Sequence, residues 1–199
     1  MNYLRSFIQT IRHPLSKNFA TTLTKILFWK VNQLTLKLPA LIDLDSNLKC
    51  ICYPDSSYGG MVVYTTYPDY EVVDGIKKNL PEGGTFFDIG ANIGLMTLVA
   101  AGIKNTRVHS FEPSPVAYPR LSENINLNNL SSRVLIHQIA ASDNDGWINF
   151  NDDKRSELSH ISTKNEKGQK LKTTTIDSYS QKNNIKKIDV LKIDVEGAE

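Results

Sequence analysis

Within ten residues the chain passes from a strand-like run, Thr85-Phe-Phe-Asp-Ile89, into Gly90-Ala-Asn-Ile-Gly94 and then into the small-residue stretch that ends at Ala101. A short apolar strand feeding a glycine turn and a helix is the opening unit of a β-α-β fold, whose parallel strands are joined by right-handed crossovers. The alternation continues. Arg107-Val-His-Ser-Phe111 reads as a second strand, about 115–128 as a helix, Arg133 to Ala140 as a third strand, and Ile188 to Ile193 as another. Strands this short and apolar suit a sheet covered on both faces. The expected class is therefore α/β, a parallel sheet with helices on both faces.

Residues 143–180 break the pattern. Trp147-Ile-Asn-Phe150 and Leu171-Lys-Thr-Thr-Thr-Ile176 read as strands on either side of a polar stretch, a β-rich insertion before the last parallel strand. Upstream, residues 1–45 read as helical, punctuated by Pro14 and Pro39. Residues 47–66 read as a strand, a turn at Ser56 to Gly60 and a second strand, Met61 to Thr66. Asp69 to Leu80 reads as a helix with Val72, Val73 and Ile76 on its apolar face, stopped by Pro81-Glu-Gly-Gly84. These boundaries divide the chain into a helical and β-hairpin extension, 1–66, and a ligand-binding domain, 67–199. A length of 199 residues accommodates that arrangement.

Composition removes several classes of partner. A net charge of +2 with no basic stripe argues against nucleic acid. Cys50 and Cys52 fall short of the four ligands of a structural zinc site, and His109, His137 and His160 have no metal-ligand spacing, so no metal is expected. Two cysteines on alternate faces of one strand suit a reducing compartment, and the expected location is cytoplasmic. The greasy stretch Phe19 to Leu44 is interrupted by Lys25, Lys30 and Lys37, short of the roughly 20 apolar residues of a membrane span. It fits an amphipathic helix that docks on the domain or lies on a membrane.

The turn Asp88 to Gly94 lies at the carboxyl end of the first parallel strand, where ligands of open α/β sheets bind. Gly90 allows close approach of a cofactor, Gly94 tight packing of the helix, and Asn92 a left-handed turn. A dinucleotide fingerprint, G-x-G-x-x-G, needs glycines where Asn92 and Leu95 stand. The Asp88 carboxylate would repel a pyrophosphate and favour the ammonium and sulfonium end of S-adenosylmethionine. Glu112, 18 residues after Gly94 at the end of the second strand, is placed to accept both ribose hydroxyls. Ala140 and Ala141 end the third strand with small side chains that leave space for an adenine ring. Asp194 and Glu196 follow the D-V-E-G strand beside the same crevice. Either could orient or deprotonate an acceptor hydroxyl once burial raises its proton affinity, or simply complement a helix start.

Phe87-Asp-Ile-Gly-Ala-Asn-Ile-Gly94, Phe111-Glu-Pro-Ser114, Thr173-Thr-Thr-Ile-Asp-Ser178 and Lys192-Ile-Asp-Val-Glu-Gly-Ala-Glu199 together resemble the FkbM-type methyltransferase family, over roughly 60–199. The resemblance implies a Rossmann-like fold with S-adenosylmethionine as methyl donor. It also implies O-methylation of a hydroxyl on a sugar or other small-molecule or glycan acceptor. By that likeness Asp88, Gly90, Asn92 and Gly94 line the methionine end, Glu112 holds the ribose, and Ala140 and Ala141 flank the adenine. Family members continue past D-V-E-G-A-E with a helix and further strands. With those C-terminal strands missing from this chain, the expectation is an open apolar sheet edge. The alternative is a truncated, non-catalytic remnant that binds cofactor weakly or serves as an interaction module.

Overall fold

The structure is a computed structural model and describes residues 13–14, 19–151, 160–161 and 169–195. It opens with helix α1 (Phe19–Leu34), then the strands β1 (Ala40–Asp43) and β2 (Lys49–Cys52), which pair as an antiparallel hairpin. Helix α2 (Ser57–Thr65) starts at Ser56, whose hydroxyl accepts the Gly59 N–H at 2.9 Å and so satisfies one free donor of the first turn. Helix α3 (Tyr70–Asn79) carries Glu71 in its first turn and Lys77 and Lys78 in its last, each sign matching the helix dipole.

The central sheet follows. Its strands are β3 (Thr85–Ile89), β4 (Arg107–Phe111) and β5 (Val134–His137), joined by helices α4 (Leu95–Ala101) and α5 (Ala117–Leu127). After β5 come β6 (Ala140–Ala141), β7 (Gly146–Asn151), β8 (His160–Ile161) and β9 (Gln169–Thr174), which form a separate four-stranded sheet in the order β6-β9-β7-β8. Helix α6 (Ile176–Lys182) then leads to β10 (Val190–Ile193), which returns to the central sheet. The order there is β10-β3-β4-β5, with every neighbouring pair parallel. This is the α/β architecture with a β-rich insertion that the alternation of strand and helix implies.

Side chains alternate across the sheet and build two cores. Phe86 and Val108 face Val73, Ile76, Leu95, Leu98, Leu121 and Ile125 of α3, α4 and α5. On the opposite face Phe87, Ile89 and Phe111 pack under Tyr179 of α6. The first core also contains Trp29, Cys50, Cys52 and Val62, so the N-terminal elements and the sheet share one apolar interior. Leu191 and Ile193 on the edge strand β10 remain exposed.

Three local expectations need correction. Residues 61–65 are helix, not strand, because Gly59 and Gly60 serve close packing instead of a turn. A Cβ on Gly60 would lie 3.0 Å from the Trp29 indole nitrogen, and one on Gly59 would lie 3.2 Å from the Tyr53 carbonyl oxygen. The hairpin is instead formed by β1 and β2, with β1 falling inside the stretch 1–45 that reads as helical. Cys50 and Cys52 share one face of β2, as residues two apart in a strand must, and both are buried free thiols. Among the described residues no helix is long and apolar enough to cross a membrane, and no group of three metal-binding side chains gathers.

Candidate functional site

The carboxyl ends of β3, β4 and β10 meet at the glycine turn, and backbone hydrogen bonds fix its shape. Gly90 and Ala91 both donate their N–H groups to the Phe111 carbonyl, at 2.9 and 3.0 Å, tying the turn to the end of β4. Gly90, Asn92 and Gly94 all have positive φ, at +75°, +51° and +92°, the left-handed region that glycine and asparagine tolerate. The space a Cβ on Gly90 would need is filled by the Asp194 carbonyl oxygen, 1.9 Å from that position. Gly90 therefore admits the exit of β10 rather than open solvent. A Cβ on Gly94 would lie 2.5 Å from Leu121 Cδ1, so that glycine lets α4 start against α5.

Two carboxylates brace the turn from opposite sides. Asp88 is wholly buried. One of its oxygens accepts the Thr97 hydroxyl at 2.7 Å, and Thr97 in turn is hydrogen-bonded to Ser110 at 2.7 Å. The other oxygen faces the Lys192 ammonium at 3.3 Å. Lys192 also donates to the Gly90 carbonyl at 2.8 Å and pairs with Asp194 at 3.4 Å. The charge of Asp88 is thus matched inside the protein, beneath the turn. Glu112 holds the rim. Its two oxygens accept the N–H groups of Asn92, at 2.7 Å, and Ser114, at 2.8 Å. Burial pushes its carboxyl up to about 7 against the pull of those two amides and of Lys192.

The remaining sequence candidates separate. Asp194 lies at the crevice, but its side chain is 71% exposed. It lacks the burial that a base of raised proton affinity requires. Glu196 lies outside the described residues. Ala140 is buried and Ala141 half-buried in β6, where both pair with Thr173 and Thr174 of β9 just beyond the end of β5. Sequence reasoning missed Lys192 and Thr97. The signal for Lys192 was available: each of β3 and β10 carries its charge one residue before its end, and parallel pairing sets Lys192 directly beside Asp88. Nothing in sequence marks Thr97 inside an apolar helix.

An adenosyl sulfonium cofactor fits this donor set on two counts. The Asn92 side-chain oxygen is buried without a hydrogen-bond partner among the described residues. Each Glu112 oxygen retains acceptor capacity after its single backbone bond, since a carboxylate offers about four lone-pair sites.

Comparison with known proteins finds a family and several similar chains. The sequence profile of a family described as Methyltransferase FkbM domain matches residues 88–199. Methyltransferase sdnD of Sordaria araneosa is 38% identical over 71 residues, which are 35% of this chain and 27% of that protein. Among solved structures, a putative rRNA-methylase from Clostridium thermocellum aligns at 26% identity and a TM-score of 0.34, over 36% of this chain and 39% of that one. P. horikoshii TYW2 in complex with MeSAdo aligns at 20% identity and a TM-score of 0.39, over 52% and 37%. The chain spans about a quarter of the curated relative and about two-fifths of each of these solved chains.

Proposed function

On the premise that the chain belongs to the FkbM methyltransferase family, we propose that it binds S-adenosylmethionine at the glycine turn and transfers a methyl group to a hydroxyl oxygen. The acceptor is a sugar or another small-molecule or glycan hydroxyl. The observation that carries this reading is Glu112: a buried carboxylate anchored by the amides of Asn92 and Ser114, with spare lone pairs beside the turn.

In this reading S-adenosylmethionine supplies the methyl group as an electrophilic sulfonium substituent. Glu112 accepts the ribose hydroxyls. The Asn92 oxygen receives a cofactor donor, while Asp88 and Lys192 keep the turn in shape from below. Gly90 and Gly94 set the backbone path, and Ala140 and Ala141 flank the adenine. Asp194, or Glu196 after it, would orient the acceptor hydroxyl by accepting its hydrogen bond, and the proton would pass to solvent as the methyl group leaves sulfur for oxygen. Most of the rate then comes from holding oxygen, carbon and sulfur in line.

Hydroxyl donors stabilise the charged form of Glu112, so cofactor binding releases a proton and affinity rises with pH through about 7. Titration calorimetry with S-adenosylmethionine and with its demethylated product tests this in buffers of different ionisation enthalpy. Heat from neither ligand sinks the proposal and leaves the non-catalytic remnant. Full turnover by Asp194→Asn at all pH values removes that residue from the proposed chemistry.

A further inference from the structure

Helix α1 packs on the domain along one side and presents an apolar face on the other. Trp29, Thr22 and Asn32 face the core. Half a turn around the cylinder, Leu27, Val31 and Leu34 recur at helical spacing and are 58%, 58% and 82% exposed, with Phe28 beside them at 69%. The following segment is exposed as well. Asn32 holds it back against the helix, donating to the Leu38 carbonyl at 2.8 Å and accepting the Leu38 N–H at 3.3 Å, and Leu36 and Leu38 are exposed there. A helix that is apolar outside its packed stripe is covered by something else in its working state.

Charge says what covers it. From Phe19 to Ile42 the sequence has three lysines, Lys25, Lys30 and Lys37, and no acidic residue. All three are exposed, and among the described residues none is ion-paired. Elsewhere Lys49, Lys77, Lys78, Lys182 and Lys187 pair with aspartates, while the exposed Lys104, Lys170, Lys172 and Lys186 have no ion pair among the described residues, so it is the lack of any acidic residue over 19–42 that gives this surface its sign. Large apolar side chains flanked by unmatched ammonium groups are the pattern of an in-plane membrane helix. The leucines and phenylalanine enter the acyl boundary, and lysine stems reach back to anionic headgroups.

We propose that the outer face of α1 docks this protein on an anionic lipid surface. The test uses the full chain and vesicles of neutral phosphatidylcholine, with or without about 30% phosphatidylglycerol, the anionic headgroup that lysines recognise. Cosedimentation with the anionic vesicles is expected, weakened by salt at about 0.5 M, where the screening length falls to a few ångströms. Lys25→Gln, Lys30→Gln and Lys37→Gln together should lower partitioning about a hundredfold, roughly fivefold per lysine. Leu27→Ser, Val31→Ser and Leu34→Ser together should abolish it while circular dichroism and melting stay near wild type, because none of the three contributes to the core. Partitioning that ignores lipid charge overturns the proposal, as does none at all. A dimer in light scattering that the serine variant dissociates also overturns it, and makes a second copy the occupant.

Discussion

Gly90 sits where three strand ends leave no room for a side chain. Its carbonyl takes the Lys192 ammonium, its N–H goes to Phe111, and the place of its missing Cβ is held by the Asp194 carbonyl. Gly90→Ala must move either the turn or the β10 exit, and its φ of +75° adds strain for any L-residue. The expected cost is about 3 kcal/mol or more, read as a lower urea midpoint at unchanged slope. Gly75→Ala is the matched control. It lies in α3 with nothing within 4 Å of the added methyl, so the same change should stabilise by up to about 1 kcal/mol. Equal effects at the two positions would refute the steric account of the turn.

At the scale of elements, the join between the N-terminal hairpin and the turn rests on one buried amide. Asn124 of α5 is fully buried. It accepts the Ile51 N–H of β2 at 2.6 Å and donates to the Ile93 carbonyl of the turn at 2.8 Å. Asn124→Leu keeps the volume but takes the partner from the Ile93 carbonyl and from both the N–H and the carbonyl of Ile51, at about 1–3 kcal/mol for each group left unsatisfied. Limited proteolysis should then cut the hairpin first, and cofactor affinity should fall with it. Intact resistance would show that Trp29, the cysteines and the Asn128 bonds to the Lys49 backbone hold the hairpin without it. Legibility in the sequence follows the same division. The bounds of β3 and β4 were readable because consecutive apolar residues with abrupt glycine or proline ends have one sensible reading. Helix α2 was not, since Tyr, Val and Thr favour strands locally. Only the indole of Trp29, some thirty positions away in sequence, shows why two glycines belong in a helix. Glu112 was readable by its position after β4, whereas the burial of Asp88 by Thr97 and Lys192 depends on partners from α4 and β10.

Across the whole molecule two proton linkages oppose each other. On the second face of the sheet the Tyr179 hydroxyl bonds His109 at 2.8 Å and His137 at 2.7 Å. Burial, with its neighbours His137 and Arg107, pushes His109 down to about 4, and burial lowers His137 as well. The unfolded chain therefore binds these protons first, and stability is lost as pH falls from about 6.5 towards 4. Glu112 works the other way. Its folded value near 7 exceeds the ordinary 4.5, so stability is gained as pH falls through that window. The wild-type melting temperature should change little between pH 7 and 5. Glu112→Gln should expose the histidine effect as a fall of a few degrees on acidification, and His109→Gln, which leaves His137 in place, should give a smaller rise. Parallel curves for all three proteins would contradict both linkages. The Lys192–Gly90 contact joins residues 102 positions apart, and that separation imposes an order in time. As the polypeptide emerges from the ribosome amino end first, β3, its turn and the two crossovers after it are complete before the ammonium and carbonyl that close the turn have been synthesised. The closed geometry of the turn is thus among the last things folding can deliver, waiting on one of the longest loop closures in the molecule.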